Sequence, residues 1–254
     1  MTLTLQDYER LNPRCTVEVF GSRVTYCTPT ARTKWRVDSL FTKEPCTIEW
    51  IATFGPQDVL IDIGANVGMY TILAAGARGC RVYAFEPEAQ SFALLNKNIF
   101  VNNLADRVTA YCLGLSDAAG LVTLNLSDFG AGASSHSLGA EVDHLLRPRP
   151  AAYKQGGIAA RLDDLVAQNT VPVPSHIKID VDGFEHRVAS GAWATLQRPE
   201  VRSLLIEINK NLEEHRKLVD SLVRLGFRYD PGQVARVERP DGPFKGCAEY
   251  VFRR

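Results

Sequence analysis

The residues best suited to binding a charged ligand form the segment DIGANVG, residues 62–68. Gly64 and Gly68 allow the backbone to turn sharply and let a ligand approach the main chain, while Asp62 places a carboxylate at the start of the motif. A dinucleotide-binding fold uses a Gly-x-Gly-x-x-Gly pattern to hold a pyrophosphate, which a carboxylate would repel. The observed spacing, with Asn66 between the two glycines, therefore favours a ligand that carries ammonium and sulfonium groups.

A second acidic residue, Glu86, lies eighteen residues beyond Gly68, at the end of the short apolar segment 81–85. In nucleotide-binding folds an acidic residue at this place accepts hydrogen bonds from both ribose hydroxyls. Taken alone, the glycines could be ordinary turn residues, and Glu86 could be a solvated residue at a strand end. The ordered combination of glycine motif and acidic residue favours a nucleoside-containing cofactor.

Acidic residues also follow two later apolar segments. Side chains alternate along a strand, so Lys178 and Asp180 lie on one face of the segment 176–181. Ligands bind at the carboxyl ends of strands in open α/β sheets, which favours a functional role for Asp180. Glu207 ends another apolar segment in the same way, whereas Glu185, at the start of a helical stretch, is equally well explained as a helix cap.

A sheet that brings several strand ends together must position these residues. From Val59 onward, short segments rich in Val and Ile alternate with amphipathic stretches, which is typical of a doubly wound α/β fold. The predicted strands are 59–63, 81–85, 108–113, 176–181 and 203–208. The predicted helices are 69–78, 88–102, 185–196 and 212–225.

The two ends of the chain and one internal segment depart from this alternation. Residues 226–230 and 248–254 are strand-like, and the proline and glycine residues between them predict a C-terminal antiparallel hairpin. Residues 1–58 are predicted to be an N-terminal extension packed on a domain of residues 59–254. The irregular segment 127–157 is long for a compact domain, and we expect it to be a mobile lid.

The chain resembles the FkbM-type methyltransferases over residues 43–209. The matching blocks are KEP (43–45), DIGANVGMYT (62–71), AFEPE (84–88), NKNIFVNNL (96–104), LGLSD (113–117), LDDL (162–165), IKIDVDGFE (177–185) and the pair Ile206 and Glu207. IKIDVDGFE separates this family from other methyltransferases better than the glycine motif does. The family usually has Glu in place of Asp182 and Thr in place of Arg161, and either departure could tune the acceptor site.

The resemblance implies a class I methyltransferase with a Rossmann-like doubly wound sheet and S-adenosylmethionine as its cofactor. The implied cofactor-binding residues are Asp62, Gly64, Asn66, Gly68, Glu86, Ser116, Asp117 and Asp180. The implied reaction is methylation of a hydroxyl on a sugar, a polyketide or a related metabolite. The expected partner is therefore a small-molecule or glycan acceptor.

Removing the proton of a hydroxyl acceptor requires a carboxylate or a histidine within hydrogen-bond reach. The catalytic candidates are Asp180, Glu207 and His136, although His136 would equally suit a solvated loop. Asp180, Glu207 and Asn209 also offer oxygen atoms that suit magnesium. Lys178 on the same face opposes a concentration of positive charge, so no metal ligands are predicted, and metal dependence is left open.

Composition narrows the remaining function classes. The 29 basic and 29 acidic residues leave no net charge, which disfavours a nucleic-acid partner. The six cysteines include no Cys-x-x-Cys pair, and no apolar run is long enough for a membrane span. The N-terminal residues lack the pattern of a secretory signal, so we expect a cytoplasmic protein. The oligomeric state is left open.

The sequence leaves two other functions open. The first is a module that binds S-adenosylmethionine or a nucleotide without catalysis, which a cleft filled by Phe129 or Trp193 would favour. The second is an NAD-dependent oxidoreductase, which the spacing around Asn66 and the C-terminal hairpin both disfavour.

Overall fold

The computed structural model describes residues 4–254. These residues form the helices α1 (Leu5–Arg10), α2 (Ala31–Asp38), α3 (Leu40–Lys43), α4 (Pro45–Ala52), α5 (Met69–Arg78), α6 (Ala89–Val101), α7 (Leu162–Ala167), α8 (Glu185–Gly191), α9 (Trp193–Leu196), α10 (Glu213–Arg224) and α11 (Pro231–Val237). They form the strands β1 (Arg14–Val19), β2 (Ser22–Cys27), β3 (Val59–Ile63), β4 (Arg81–Phe85), β5 (Val108–Tyr111), β6 (Gly114–Leu115), β7 (Gly120–Leu126), β8 (Ser137–Leu138), β9 (Tyr153–Ala160), β10 (His176–Ile179), β11 (Ser203–Asn209) and β12 (Cys247–Arg253). No helix in this range is both long and apolar enough to cross a bilayer.

A six-stranded sheet in the order β12-β11-β10-β3-β4-β5 forms the centre of the fold. All neighbours are parallel except β12, which runs antiparallel to β11. The chain builds β3, β4 and β5 outward and then returns to place β10 on the other side of β3. Open α/β sheets bind ligands at the carboxyl ends of strands beside such a reversal. The predicted doubly wound sheet with an antiparallel C-terminal pair is confirmed.

Most predicted elements end within two residues of their observed ends, and β3, β4 and α5 agree at both ends. The predicted helix 185–196 is instead divided at Ala192 into α8 and α9. Gly191 explains the close packing at this break, because a Cβ atom there would lie 1.9 Å from the carbonyl oxygen of Ser116.

The partner of the C-terminal strand differs from the predicted one. β12 pairs with β11 along its whole length, whereas residues 226–230 contribute a single bridge between Arg228 and Arg253. Helix α11 follows, and the Asp230 carboxylate caps it by accepting a hydrogen bond from the Gly232 N–H at 2.8 Å. Proline suits the first turn of a helix, so Pro231 begins a helix here rather than a long connection.

The segment 127–157 is not irregular throughout, in contrast to the prediction. β9 begins at Tyr153 and pairs antiparallel with β7, and both belong to a separate four-stranded sheet in the order β6-β9-β7-β8. Most residues of β9 are partly or fully exposed, and Gly156 and Gly157 interrupt it, so no buried apolar alternation marks it in the sequence. The mobility of the segment stays a prediction.

The core forms two clusters on opposite faces of the central sheet, because successive side chains of a strand point to opposite faces. In β3, Leu60 packs in one cluster and Ile61 in the other. The first cluster also contains Tyr26 and Trp50, so the described part of residues 1–58 covers one face of the sheet. Burial of each such large apolar side chain stabilises the fold by about 1.5–3 kcal/mol. The division into extension and domain stays a prediction.

Candidate active site

A cavity of about 300 Å³ opens at the carboxyl ends of β3, β4, β10 and β11. Small-molecule sites in proteins begin at roughly this size. Its wall, as far as residues 4–254 form it, contains the carboxylates of Glu44, Glu86, Asp180, Asp182 and Glu207 and the cations of Arg36, Lys43, Lys178 and Arg239. The wall thus combines acidic and basic groups.

The turn between β3 and α5 forms one wall of the cavity. Gly64 has a φ of +78°, in the left-handed region that costs other L-residues about 1–2 kcal/mol. A Cβ atom at Gly64 would lie 1.9 Å from the carbonyl oxygen of Asp180. Gly68 also has a positive φ, but it does not line the cavity, and its Cβ atom would meet the Leu95 side chain. Gly64 therefore permits a close approach between two parts of the protein, namely the turn and the end of β10.

Asp62 begins the glycine motif but does not line the cavity. Its carboxylate is buried and accepts a hydrogen bond from the Thr71 hydroxyl at 2.5 Å. Burial raises the pKa of Asp62, against the opposing effects of Lys178 and Thr71. Asp62 thus ties α5 to β3, and its direct contact with a cofactor stays a prediction.

Glu86 lies at the end of β4 with its carboxylate in the cavity wall. Its Oε2 accepts a hydrogen bond from the Asn66 backbone N–H at 2.8 Å, and its Oε1 accepts one from the Glu88 N–H at 2.7 Å. Burial raises the pKa of Glu86 to about 7 despite these two hydrogen bonds. Each carboxylate oxygen can accept a further hydrogen bond, so Glu86 can still bind two hydroxyls.

Ser116 and Asp117, which only the family resemblance singled out, lie at different depths. Ser116 lines the cavity and donates its hydroxyl to the Asp117 carboxylate at 3.0 Å. Asp117 is exposed and does not line the cavity. The structure thus brings Gly64, Asn66, Glu86, Ser116 and Asp180 to one cavity and leaves Asp62, Gly68 and Asp117 outside its wall.

The opposite side of the cavity is formed by a buried-charge cluster. Its members come from five separate parts of the chain. They are Lys43 and Glu44 at the end of α3, Lys178 and Asp180 at the end of β10, Glu207 in β11, Arg239 after α11, and Glu249 in β12. Lys178 donates to Asp180 at 2.7 Å, and Lys43 contacts Glu44 at 2.5 Å. Arg239 binds Glu207 and Glu249, which face each other across the β11–β12 pair, at 2.7 Å each.

This cluster shifts the pKa values of two catalytic candidates in opposite directions. Burial alone would raise the pKa of Asp180, but Lys178 and Lys43 outweigh it and hold that pKa at about 2. Burial raises the pKa of Glu207 well above its usual value, and repulsion from Asp180 adds to this despite the nearby Arg239. A carboxylate with a pKa of about 2 is a weak base. Glu207 is therefore better suited to accept a proton, and Asp180 to attract positive charge.

Glu185 holds the turn that follows Asp180. Its side chain is fully buried and accepts hydrogen bonds from the N–H groups of Val181 at 2.8 Å and Gly183 at 3.0 Å. Asp182, within this turn, has a φ of +57° and accepts a hydrogen bond from the Ser135 N–H at 2.7 Å. Burial raises the pKa of Glu185 to about 8 and that of Asp182 to about 6. Glu185 thus shapes the turn and through Asp182 connects it to the segment 127–157.

His215, which the sequence analysis missed, links the ends of β10 and β11. Its Nδ1 accepts a hydrogen bond from the Asn209 N–H at 3.1 Å, so the neutral ring carries its proton on Nε2. Nε2 lies 3.2 Å from the carbonyl oxygen of Gly183 and 3.3 Å from Glu185. Burial lowers the pKa of His215 to about 4, so the ring is neutral at neutral pH.

An oxygen atom from each of Asp180, Glu185 and Glu207 lies within 4.8 Å of the others. Two of these carboxylates already bind cations of the buried-charge cluster. Asn209 is engaged in its own turn, where its Oδ1 accepts a hydrogen bond from the Asn211 N–H at 3.0 Å. We assign no metal to this group.

His136 lines the cavity from the segment 127–157. Its Nδ1 accepts a hydrogen bond from the Ser127 N–H at 3.2 Å, which leaves the proton of the neutral ring on Nε2. Within the described residues this Nε2 has no hydrogen-bond partner. Burial lowers the pKa of His136. The ring is thus arranged to donate a hydrogen bond to a ligand rather than to remove a proton.

Arg239 and Glu249 also belong to the site but were not predicted from the sequence. Arg239 lies in a segment rich in proline and glycine, and Glu249 lies in the edge strand β12, so no local pattern marks either residue. Lys43 and Glu44 did carry a signal, because they belong to the KEP block.

Comparisons with known proteins identify the family to which the chain is similar. The family model described as the methyltransferase FkbM domain matches residues 62–229. The chain is 24% identical over 196 residues to the hexuronic acid methyltransferase AglP of Haloferax volcanii, a match that covers 77% of this chain and 74% of that protein. It is 29% identical over 175 residues to the 31-O-demethyl-FK506 methyltransferase FkbM of Streptomyces tacrolimicus, covering 61% of this chain and 66% of that protein.

Among solved structures, the methyltransferase FkbM of Methylobacillus flagellatus shares the fold. The TM-score is 0.50 at 15% sequence identity, and the match covers 79% of this chain. This chain spans 44% of the length of that protein.

Proposed function

This chain belongs to the methyltransferase FkbM family, and we propose that it transfers a methyl group from S-adenosylmethionine to a hydroxyl of a sugar, a polyketide or a related small molecule. One observation carries the proposal: a single cavity is bordered by the glycine turn and Glu86 on one side and by Asp180 and Glu207 on the other. The names of the two relatives, a hexuronic acid methyltransferase and a 31-O-demethyl-FK506 methyltransferase, support a sugar or a polyketide as acceptor.

The residues of the cavity fit this donor by charge and by hydrogen-bonding capacity. When bound, S-adenosylmethionine supplies a methyl group on a positively charged sulfur. Glu86 would accept hydrogen bonds from the ribose hydroxyls, and the turn at Gly64 and Asn66 would hold the donor beside it. Asp180, held ionised by Lys178, attracts the positively charged end of the donor.

Glu207 acts as the base for the acceptor. Its raised pKa makes its carboxylate a stronger proton acceptor than Asp180. With the donor bound, its sulfonium would supply the methyl group to the acceptor oxygen, and Glu207 would take up the hydroxyl proton. Arg239 remains at 2.7 Å from Glu207 and holds it in position. Positioning the two reactants away from water supplies most of the acceleration.

The non-catalytic binding module is the less favoured reading. Its distinguishing feature would be a cleft filled by Phe129 or Trp193, and neither residue is part of the described cavity wall. Phe129 is 64% exposed, and Trp193 packs against the core cluster that contains Ile61. Neither side chain therefore fills the cavity beside the catalytic candidates.

Two measurements test the proposal. Thermal unfolding should shift upward with S-adenosylmethionine and stay unchanged with NAD, because only a ligand that binds the folded state stabilises it. Labelled methyl transfer should then be followed with methyl glycosides, methyl glucuronide, a hydroxylated macrolide and cell extract as acceptors. A base-stable labelled product indicates an ether and supports a hydroxyl acceptor. Stabilisation by NAD alone would overturn the donor assignment, and a labelled ester or amine would overturn the hydroxyl acceptor.

A further inference from the structure

Arg36 differs from the other three cations of the cavity wall. The other three each bind a carboxylate of the protein, namely Lys43 with Glu44, Lys178 with Asp180, and Arg239 with Glu207. Arg36 also lines the cavity and is only half-buried, yet within residues 4–254 it forms no ion pair. Its one hydrogen bond to the described protein runs from Nε to the carbonyl oxygen of Gly132 at 2.9 Å, which leaves both Nη groups available.

Arg36 lies next to the glycine turn. The residue that follows Gly132 is Ala133, whose carbonyl oxygen accepts a hydrogen bond from the side-chain Nδ2 of Asn66 at 2.7 Å. The Gly132 N–H in turn donates a hydrogen bond at 3.1 Å to the hydroxyl of Ser91, which lies near the start of α6. The carbonyl groups of two consecutive residues thus connect Arg36 to Asn66 and place the guanidinium beside the glycine turn.

The donor in the proposed function carries a carboxylate in addition to its ammonium and sulfonium groups. The acidic residues of the cavity suit the two positive groups, but a carboxylate needs a cation. Using Lys178 or Arg239 for this purpose would leave a buried carboxylate of the protein unpaired, which is strongly unfavourable. Arg36 can bind a carboxylate without breaking any ion pair of the described protein.

We propose that Arg36 binds the carboxylate of the methionine part of S-adenosylmethionine through its Nη groups. A guanidinium matches a carboxylate with two parallel hydrogen bonds, which both strengthens and orients the contact. The inference rests on the proposed function, because it assigns a group of the same donor. It gives Arg36 of α2, which lies 26 residues before Asp62, a direct part in donor binding.

Calorimetric titration of the full chain with two probes tests this assignment. The probes are S-adenosylmethionine and decarboxylated S-adenosylmethionine, which keeps the sulfonium and the amine but lacks the carboxylate. The wild-type protein should bind the first about 10- to 100-fold more tightly than the second, as expected for charge-assisted hydrogen bonds. In Arg36→Gln, S-adenosylmethionine should bind more weakly by a similar factor, the decarboxylated probe should bind as before, and the preference between them should disappear.

Arg32→Gln is the matched control. Arg32 lies one turn earlier on α2, pairs with Asp128 and does not line the cavity, so its variant should keep the full preference for the carboxylate. Arg36→Lys keeps the charge but not the paired hydrogen bonds and should retain part of the preference. An Arg36→Gln protein with an undiminished preference would overturn the inference while leaving the proposed function intact. A wild-type protein that binds neither probe would overturn the proposed function itself.

Discussion

The two sides of the cavity are built in different ways. The donor side, where S-adenosylmethionine is proposed to bind, contains Gly64, Asn66 and Glu86. It comes from one strand–turn–helix unit and the residue after the next strand, and the hydrogen bonds of Glu86 run to backbone groups. The buried-charge cluster opposite comes from segments far apart in the chain and is held by ion pairs between side chains. A substitution that adds volume should therefore disturb the donor side most. A substitution that removes a charge should disturb the buried-charge cluster most.

The largest effect is expected from Gly64→Ala. The new Cβ atom would lie 1.9 Å from a backbone oxygen of Asp180, and the residue would keep a φ of +78°. Left-handed strain and overpacking together should lower the free energy of unfolding by about 3–5 kcal/mol. Urea unfolding measures this loss. Gly68→Ala is the matched control, because its Cβ atom would meet the end of the Leu95 side chain, which can rotate away. Equal losses in the two variants would show that the close approach to Asp180 is unimportant.

Glu207→Gln tests the role of the buried-charge cluster. We expect turnover at saturating donor to fall about 100-fold or more, because the amide cannot accept the proton, while the donor Kd changes little. Wild-type turnover should rise with pH through the elevated pKa of Glu207, since the ionised form is the base. This rise should be absent from Glu207→Gln and should move to lower pH in Asp180→Asn, because Asp180 no longer repels the Glu207 carboxylate. A pH profile that is lost only in Asp180→Asn would return the role of base to Asp180.

Donor affinity should depend on pH through Glu86. Its pKa of about 7 means that the folded protein binds a proton there below pH 7, whereas the ribose hydroxyls bind best to the ionised carboxylate. Affinity should therefore be about tenfold weaker at pH 6 than at pH 8. Calorimetry at both pH values measures this, with Glu86→Gln as the control that should bind more weakly and show a flatter dependence. An equal pH dependence in the variant would assign the effect to another group.

The smallest effect is expected outside both sides of the cavity, at Arg161. This residue occupies the N-cap of α7 without any side-chain capping hydrogen bond, and it does not line the cavity. Arg161→Thr should supply the missing cap and stabilise the protein by about 0.5–1 kcal/mol, which corresponds to an unfolding temperature higher by about 1–4 °C. Turnover should not change. An altered acceptor preference in this variant would extend the site to Arg161.

The sequence by itself determined the central sheet and the donor side. Runs of Val, Ile and Leu between turn residues predicted the parallel strands, and β3, α5 and β4 begin and end where the pattern indicates. The reason is that a parallel strand buried on both faces is a continuous apolar segment, and a left-handed turn favours glycine, so both features mark the local sequence. Glu86 could be found for the same reason, since it directly follows a predicted strand.

Only the tertiary structure decided how the charges are used. Asp180 and Glu207 are similar carboxylates at similar strand ends, yet their pKa values shift in opposite directions because Lys178 neutralises one while burial dominates the other. Asp62 opens the motif but turns toward Thr71, outside the cavity wall. Electrostatic energy depends on distance through space and on removal from water, and segments separated by up to two hundred residues set both quantities here.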